Sequence, residues 1–317
     1  MKNKIKANFL VGCTAVGKTA VCQMLAETQG AAIISADAMQ VYRGMNIGTA
    51  KPSGKERNNV PYLGLDLIDP DQKFSVAEWL RNVAVQLEAL LNDKKNTTII
   101  ASGGTGLYAK ALIFGLSQNT SPLPEQRAIW QTVFRAEGVK GLQNALIKND
   151  PDAVKNLRDP LNPRRLMRAL EIANSQANPR QTQIWKQQTP GVIVGLRMPR
   201  EQLHSRIAER VDRMFEAGFA DEVQSLRQKY TALSSTATQA IGYAEVMEWL
   251  DRKISLKDAV NRIVVRTRQL AKRQETWFRH QLDVAWVDIT LETPVSEIAK
   301  HVKELWKQHG SNTLRFE

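Results

Sequence analysis

A segment near the start of the chain has the residue types and spacing needed to bind a phosphate group. Its eight residues fit the pattern G-x-x-x-x-G-K-[ST]: Gly12, Cys13, Thr14, Ala15, Val16, Gly17, Lys18 and Thr19. The glycines let the backbone curl so that several amides face one anion, and a following helix adds partial positive charge at its amino-terminal end. Lys18 supplies a mobile cation, and the Thr19 hydroxyl can bind Mg²⁺. The segment therefore predicts a site for a phosphate or pyrophosphate.

The sequence around this loop predicts the elements that position it. An apolar run at 9–11 precedes the loop and a helical stretch at 20–27 follows it, which is the strand–loop–helix context that the motif requires. Further apolar runs predict strands at 31–35, 62–68, 97–102, 191–196 and 284–288. Because helical patterns separate several of these runs, we expect an α/β fold of the P-loop NTPase-like type, with a parallel sheet flanked by helices.

Residues 117–188 differ in character from this alternating pattern. They contain turn signals at 121–124, helical patterns at 125–135 and 164–174, and a polar stretch at 181–188. We interpret the region as a small all-helical insertion in a catalytic core made of residues 1–116 and 189–317. From residue 200 onward the core is predicted to be mostly helical.

Composition limits the classes of partner. The chain has 317 residues with 44 Lys and Arg against 32 Asp and Glu, a formal net charge of +12, and the basic residues crowd into 164–168, 197–213 and 262–279. Such a surface suits a polyanion, such as nucleic acid. The two cysteines form neither a metal-site nor a disulfide pattern. We see no membrane span and no signal-peptide pattern, so we expect a cytoplasmic protein. No heptad pattern calls for a dimer, so we expect a monomer.

Several candidate residues follow predicted strands, where the ligand sites of open α/β sheets lie. Asp37 follows the second strand and could hold Mg²⁺, accept a proton or cap a turn. A glycine turn with Thr105 follows the fourth strand, where an ordinary ATPase would carry a metal-binding Asp. Arg206 and Arg210 share a helix face where phosphate-transfer folds place an arginine-bearing lid, although their spacing also fits a solvated basic face. Lys51, in a loop of small residues, is expected to be solvated.

Six segments, taken in order, closely resemble the bacterial tRNA dimethylallyltransferases, also called tRNA isopentenyltransferases. They are residues 12–19, SADAMQVYRGMNIGTAKP at 35–52, SGGTGLY at 102–108, NPRRLMRALE at 162–171, QAIGY at 239–243 and RQLAKRQETWFR at 268–279. The resemblance covers nearly the whole chain. It implies transfer of a dimethylallyl group from dimethylallyl pyrophosphate to the N6 amine of the adenosine 3′ of the tRNA anticodon. The phosphate loop then holds the pyrophosphate of a prenyl donor, in agreement with the missing strand-four Asp.

The resemblance also implies roles for individual residues. Asp37 matches the general base, Thr105 a residue that contacts the tRNA near the reacting base, and Arg210 the lid arginine that stabilises the leaving pyrophosphate, with Mg²⁺ held at Thr19. The implied contacts to the anticodon stem-loop come from several segments of the chain: Asp37, Ala38, Met39 and Gln40; Thr105; Arg127; Arg164, Arg165, Leu166, Met167 and Arg168; Gln239, Ala240, Ile241, Gly242 and Tyr243; and Lys272, Arg273 and Arg279.

The chain departs from the family's pattern in places, and other functions stay open. Ala38 stands where a serine is usual and Ala244 where a cation is usual, so single tRNA contacts are in doubt. A small-molecule kinase would use the same loop for ATP. A prenyltransferase of free adenine nucleotides would share the chemistry, and a non-catalytic RNA-binding protein would retain only the surface.

Overall fold

The computed structural model describes residues 5–94, 97–116, 124–157, 159–174 and 191–316. These residues form two compact units. The first contains the described residues up to Gly115 and those from 191 onward, and the second contains the described residues between them. The expected ends of the insertion, the turns at 121–123 and the polar stretch at 181–188 lie outside the described residues.

The first unit is a mostly parallel sheet flanked by helices. Its strands are β1 (Lys6–Gly12), β2 (Ala32–Ser35), β3 (Tyr62–Leu63), β4 (Ile99–Gly103), β5 (Ile193–Arg197), β6 (Val284–Asp288) and β7 (Asn312–Thr313). Four helices of the described residues precede the second unit: α1 (Lys18–Gln29), α2 (Gly54–Arg57), α3 (Val76–Asp93) and α4 (Gly106–Phe114). The second unit contains α5 (Pro124–Asn149), α6 (Ala153–Asn156) and α7 (Pro163–Ala173). Five helices follow in the first unit: α8 (Arg200–Glu216), α9 (Phe219–Lys229), α10 (Tyr243–Leu250), α11 (Leu256–Gln281) and α12 (Val295–His309).

The sheet has the strand order β3-β2-β4-β1-β5-β6, and neighbours along this path pair in parallel. β1 lies in the interior, with Phe9 opposite Ala101 of β4 and opposite Ile193 of β5. The short β7 pairs antiparallel with the start of β1. Because β4, β1 and β5 run in the same direction, the loops that follow them emerge at one edge of the sheet. The expected P-loop NTPase-like class is confirmed.

Local sequence signals explain where several helices begin. Ser75 before α3 and Ser255 before α11 each accept a hydrogen bond from the backbone amide three residues later, forming capping boxes with Glu78 and Asp258. Asn162 caps α7 by accepting from the amides of Arg164 and Arg165, without a capping box, and Pro163 occupies the first helical position, where its missing amide costs nothing. These caps satisfy amides that would otherwise have no partner.

The predicted strands agree with the structure except at 62–68. β6 spans 284–288 as expected, and β1 is longer than its apolar run because Lys6 and Gly12 extend the pairing. The third strand is short. Gly64 has a φ of 85° and Asp66 a φ of 52°, and these left-handed conformations end the extended backbone after Leu63. Its continuation is reduced to one bridge between Tyr42 and Ile68.

The second unit has a core of its own. Leu142 and Leu146 of α5 pack with Leu166, Met167 and Leu170 of α7. Gly138 interrupts α5 with a φ of 65°, where the chain bends. Leu166 is 0% exposed and Met167 7% exposed. The side chains of these two residues fill the hydrophobic core, so the contact with tRNA that we expect from them would have to come from their backbone atoms.

No helix among the described residues combines the length and the apolarity that crossing a membrane requires.

Close packing between the ends of β2 and β4 makes Gly103 sensitive to substitution. A Cβ atom on Gly103 would lie 2.1 Å from the Ala36 carbonyl oxygen, which belongs to the backbone and cannot move aside alone. We expect Gly103→Ala to lower the free energy of unfolding by about 2 kcal/mol, measured by urea denaturation. Gly54→Ala is the matched control, since nothing lies within 4 Å of its Cβ position. Equal stability of both variants would contradict the packing described.

Candidate active site

The phosphate loop has the backbone conformation that its glycines predict. Gly12, Ala15 and Gly17 all have positive φ angles, of 147°, 64° and 106°, and Gly17 directly precedes α1. The Lys18 ammonium donates to the Cys13 carbonyl at 2.7 Å, so it lies over its own loop. Burial lowers the pKa of Lys18, and the Cys13 thiol and the Asp37 carboxylate oppose this shift. The loop is thus shaped as an anion cradle with a partly desolvated cation.

Arginines of α8 approach the loop from the other side. Arg210 Nη1 lies 3.3 Å from the Thr14 hydroxyl, to which it donates. A Cβ atom on Gly17 would be 3.3 Å from Arg206 Nη2, so Arg206 also lies against the loop. Burial lowers the pKa of Arg210. The Asp37 carboxylate opposes this shift, whereas the positive charges of Arg206 and Arg213 lower the pKa further. The guanidinium stays charged because its ordinary pKa is very high. Three arginines and Lys18 therefore concentrate positive charge around the loop.

These residues line a cleft of about 640 Å³ at the carboxyl edge of the sheet. The phosphate loop, the end of β2, the glycine turn after β4 and α8 all contribute to it. The polar and charged side chains that line it include Lys18, Thr19, Ser35, Asp37, Gln40, Lys51, Ser102, Arg206, Arg210, Arg213 and Gln274.

Asp37 and Thr105 are brought together by backbone hydrogen bonds. The Thr105 amide donates to the Ala36 carbonyl at 3.2 Å, and the Ala38 amide donates to the Thr105 hydroxyl at 3.1 Å. Asp37 therefore lies between two residues tied to Thr105. Its Oδ1 accepts from the Met39 amide at 2.9 Å. Its Oδ2 has no donor among the described residues, so one carboxylate oxygen can act on a ligand in the cleft.

Gln40 is fixed in the same cleft at both ends of its amide group. Its Oε1 accepts from the Ser35 hydroxyl at 2.8 Å. Its Nε2 lies 3.4 Å from the Thr49 carbonyl and 3.2 Å from the Ala50 carbonyl. The three contacts hold the amide in one orientation, as a residue that reads a ligand by hydrogen bonds needs.

The donor set around Thr19 suits Mg²⁺ bound together with a phosphate group. Thr19 is exposed in the first turn of α1 and lines the same cleft as Asp37. No group of three or more His, Cys, Asp or Glu side chains among the described residues could hold a metal on its own. Oxygen ligands supplied by one hydroxyl, the substrate and water are the usual set for this ion.

Gln274 is a cleft residue that the sequence interpretation missed. Its Oε1 accepts from the Thr14 amide at 2.7 Å, across 260 positions of sequence. Its Nε2 lies 2.5 Å from where a Cβ atom on Gly104 would be. Gln274 therefore links the phosphate loop to the glycine turn. Gln274 lies inside the segment 268–279 that carries the family resemblance. We assigned roles there only to the neighbouring basic residues.

The interpretation of Lys51 as a solvated cation is wrong. Lys51 is 8% exposed, and its ammonium donates to the Tyr42 carbonyl and to Asp66 Oδ1, each at 2.6 Å. Burial lowers its pKa, and the Asp66 carboxylate opposes the shift. This ion pair ties the loop that contains Gly48, Thr49 and Ala50 to Asp66, in the turn that follows β3.

The residues expected to contact tRNA differ in their exposure. In the second unit Arg164 and Arg165 are exposed, whereas Arg127 and Arg168 form ion pairs with Glu171, itself 2% exposed. In the first unit Lys272, Arg273, Arg279 and Gln239 are exposed on the surface. Ala240 and Tyr243 are buried, so their side chains pack inside the unit and the contact with RNA expected from them would have to come from their backbone atoms.

The sequence and the structure match known proteins over nearly their full length. The sequence model of the family "IPP transferase" matches residues 40–281, and that of "Isopentenyl transferase" matches residues 5–66. The tRNA dimethylallyltransferase of Bacillus velezensis is 38% identical over 313 residues, covering 97% of this chain and 98% of the relative.

Solved structures agree. A full-length tRNA isopentenylpyrophosphate transferase from Bacillus halodurans is 35% identical with a TM-score of 0.67, covering 96% of this chain and 97% of that one. A eukaryotic dimethylallyltransferase acting on tRNA is 25% identical with a TM-score of 0.77, covering 95% of this chain and 79% of that one. With the phosphate loop and Asp37 in one cleft, and Thr105 hydrogen-bonded to the backbone on both sides of Asp37, the chain belongs to the IPP transferase family, the tRNA dimethylallyltransferases.

Proposed function

We propose that this protein transfers a dimethylallyl group from dimethylallyl pyrophosphate to the N6 amine of the adenosine 3′ of the anticodon in tRNA. The products are N6-dimethylallyladenosine and pyrophosphate. The observation that carries the proposal is that a phosphate loop and Asp37 line the same cleft in a chain of this family. One half of the cleft can hold a leaving pyrophosphate and the other can accept a proton.

The donor half is built to stabilise negative charge. When the allylic C–O bond of the donor breaks, the charge on the leaving pyrophosphate increases. The loop amides, Lys18 and Arg210 lie where they can stabilise that charge without reorganising. Because α8 supplies Arg206 and Arg213 to the same cleft, the field at the loop is strongly positive.

The acceptor half supplies a base. The N6 amine of adenine is a weak nucleophile because its lone pair is delocalised into the ring. As the new C–N bond forms, the amine must lose one proton, and Asp37 Oδ2 is placed to accept it. Thr105 holds the backbone on both sides of Asp37, and the amide of Gln40 lies in the same cleft to orient the base.

Thr19 is the residue that would hold Mg²⁺ beside the pyrophosphate. When bound there, the ion would neutralise part of the charge on the phosphate oxygens.

The acceptor base must leave its stack to reach the cleft, as in other enzymes that modify bases. Exposed basic residues can bind RNA phosphates: Arg164 and Arg165 in the second unit, and Lys272, Arg273 and Arg279 in the first. We assign the enzyme to the cytoplasm, where tRNA is modified, and we propose that it works as a monomer because both halves of the cleft come from one chain.

A transfer assay with competing acceptors tests the function. The protein is mixed with Mg²⁺, labelled dimethylallyl pyrophosphate and an unmodified anticodon stem-loop that carries adenosine 3′ of the anticodon, with AMP and ATP as rival acceptors. We expect label in the stem-loop alone. Label in the nucleotides would instead indicate a prenyltransferase of free nucleotides, and hydrolysis of ATP without transfer would indicate a kinase-like use of the loop.

Asp37→Asn should separate binding from chemistry. The amide oxygen of asparagine can still accept from Met39, but the side chain can no longer accept a proton. We expect kcat to fall by about 10²- to 10⁴-fold, with little change in the affinity for donor or stem-loop. Asp71→Asn, at an exposed position outside the cleft, is the control. Turnover of Asp37→Asn within twofold of the native rate would remove Asp37 as the base.

Lys18→Ala should weaken the donor site. Loss of a charge-assisted contact costs about 1.5–3 kcal/mol, so we expect the Kd for pyrophosphate to rise by about ten- to a hundredfold, measured by calorimetry. Lys94→Ala removes an exposed lysine at the end of α3 and serves as the control. An unchanged Kd in Lys18→Ala would mean that the pyrophosphate binds elsewhere.

A further inference from the structure

A single carboxylate outside the catalytic set holds the loop that forms one wall of the cleft. Glu222 of α9 accepts four hydrogen bonds. Its Oε2 accepts from the amides of Asn46 and Ile47 at 2.8 and 2.7 Å. Its Oε1 accepts from the Gly48 amide at 3.2 Å and from the Tyr243 hydroxyl at 2.7 Å. Three consecutive amides thus converge on one anion, in the arrangement that a backbone nest uses for a bound ion.

The surroundings of the carboxylate are shaped around this contact. A Cβ atom on Gly48 would lie 2.4 Å from the Phe219 ring and 2.6 Å from the Tyr243 ring, so only glycine lets the loop approach α9 and α10. The rings of Phe219 and Tyr243 pack edge to face at 5.1 Å. Burial, reinforced by the Glu222 carboxylate, raises the pKa of Tyr243, so its hydroxyl remains a donor throughout the working range of pH.

The held loop contacts a residue of the acceptor half directly. After Gly48, the carbonyls of Thr49 and Ala50 accept from Gln40 Nε2. The Ser35 hydroxyl donates to the other end of the same amide. The orientation of Gln40 therefore depends on where the loop places its two carbonyls.

We propose that Glu222 is a positioning residue for the acceptor adenine, acting through the loop 46–50 and the amide of Gln40. The inference rests on the proposed function, because it assigns Gln40 to the base that receives the dimethylallyl group. Glu222 itself touches neither substrate. It fixes the loop backbone, the loop carbonyls fix the Gln40 amide, and the amide presents the remaining lone pair of Oε1 to the base. The phosphate loop at 12–19 has its own supports in Gln274 and Arg210.

The chemistry of the contact indicates which substitution tests it. Glutamine has nearly the shape of glutamate but replaces one acceptor oxygen by a donor amide. Either orientation of that amide sets an N–H group against backbone amides or against the Tyr243 hydroxyl. Glu222→Gln therefore breaks the contact with almost no change of volume. Asp221→Asn, on the exposed side of the same helix, removes the same charge without touching the loop.

The experiment measures donor and acceptor separately. We expect Glu222→Gln to raise the KM for the stem-loop by about tenfold at saturating donor, while the Kd for pyrophosphate changes by less than about twofold. Asp221→Asn should leave both values within about twofold of the native ones. Equal losses of pyrophosphate and stem-loop binding would contradict the proposal, because a general loosening of the unit affects both sites. An unchanged stem-loop KM would contradict it as well.

A double-variant cycle tests the route through Gln40. If Glu222 acts through that amide, adding Glu222→Gln to Gln40→Ala should not raise the stem-loop KM further. Fully additive effects would overturn the proposed route. The native protein is assayed alongside. Absence of native transfer to the stem-loop would refute the proposed function itself, whereas native transfer with an unaltered KM in Glu222→Gln would refute only the role of Glu222.

Discussion

Parallel pairing of β1 with β4 on one side and β5 on the other is the constraint on which the site depends. It makes the phosphate loop, the glycine turn and the chain entering α8 leave the sheet at one edge, and β2 adds Asp37 to the same edge through its pairing with β4. Since the strands set these positions, donor and acceptor groups meet without a long loop having to fold over them. The side chains that line the cleft near the phosphate loop are positively charged, which suits a leaving pyrophosphate.

Close approach of backbones keeps the parts of the cleft in register. Gly103 lies against the Ala36 carbonyl, where a Cβ atom would meet backbone that cannot move aside, and Gly104 and Gly106 lie against the side chains of Gln274 and Trp277. Polar side chains complete the connections: Gln274 joins α11 to the phosphate loop, and Glu222 joins α9 to the loop at 46–48. Helices far along the chain thereby fix residues near its start.

Local patterns predicted much of this arrangement, and long-range contacts account for what they missed. The phosphate motif and the apolar run of β6 are each contained in a few neighbouring residues, so the sequence alone located them. The early end of β3 depends on left-handed backbone at Gly64 and Asp66, and an aspartate adopts this conformation only in context. Lys51 was expected to be solvated because the sequence does not show that the fold brings it to Asp66, its ion-pair partner. The role of Gln274 depends on an amide 260 positions away, which no local pattern records.

A crystal structure of the protein with an unreactive thio-analogue of dimethylallyl pyrophosphate and an anticodon stem-loop would test the central claim most directly. That claim is that one edge of the sheet holds the pyrophosphate on the phosphate loop and the acceptor adenine at Asp37. The account predicts diphosphate oxygens within hydrogen-bonding distance of the loop amides and Lys18, with the adenine N6 within reach of the Asp37 carboxylate. A diphosphate bound away from residues 12–19, or an acceptor base remote from Asp37, would contradict it.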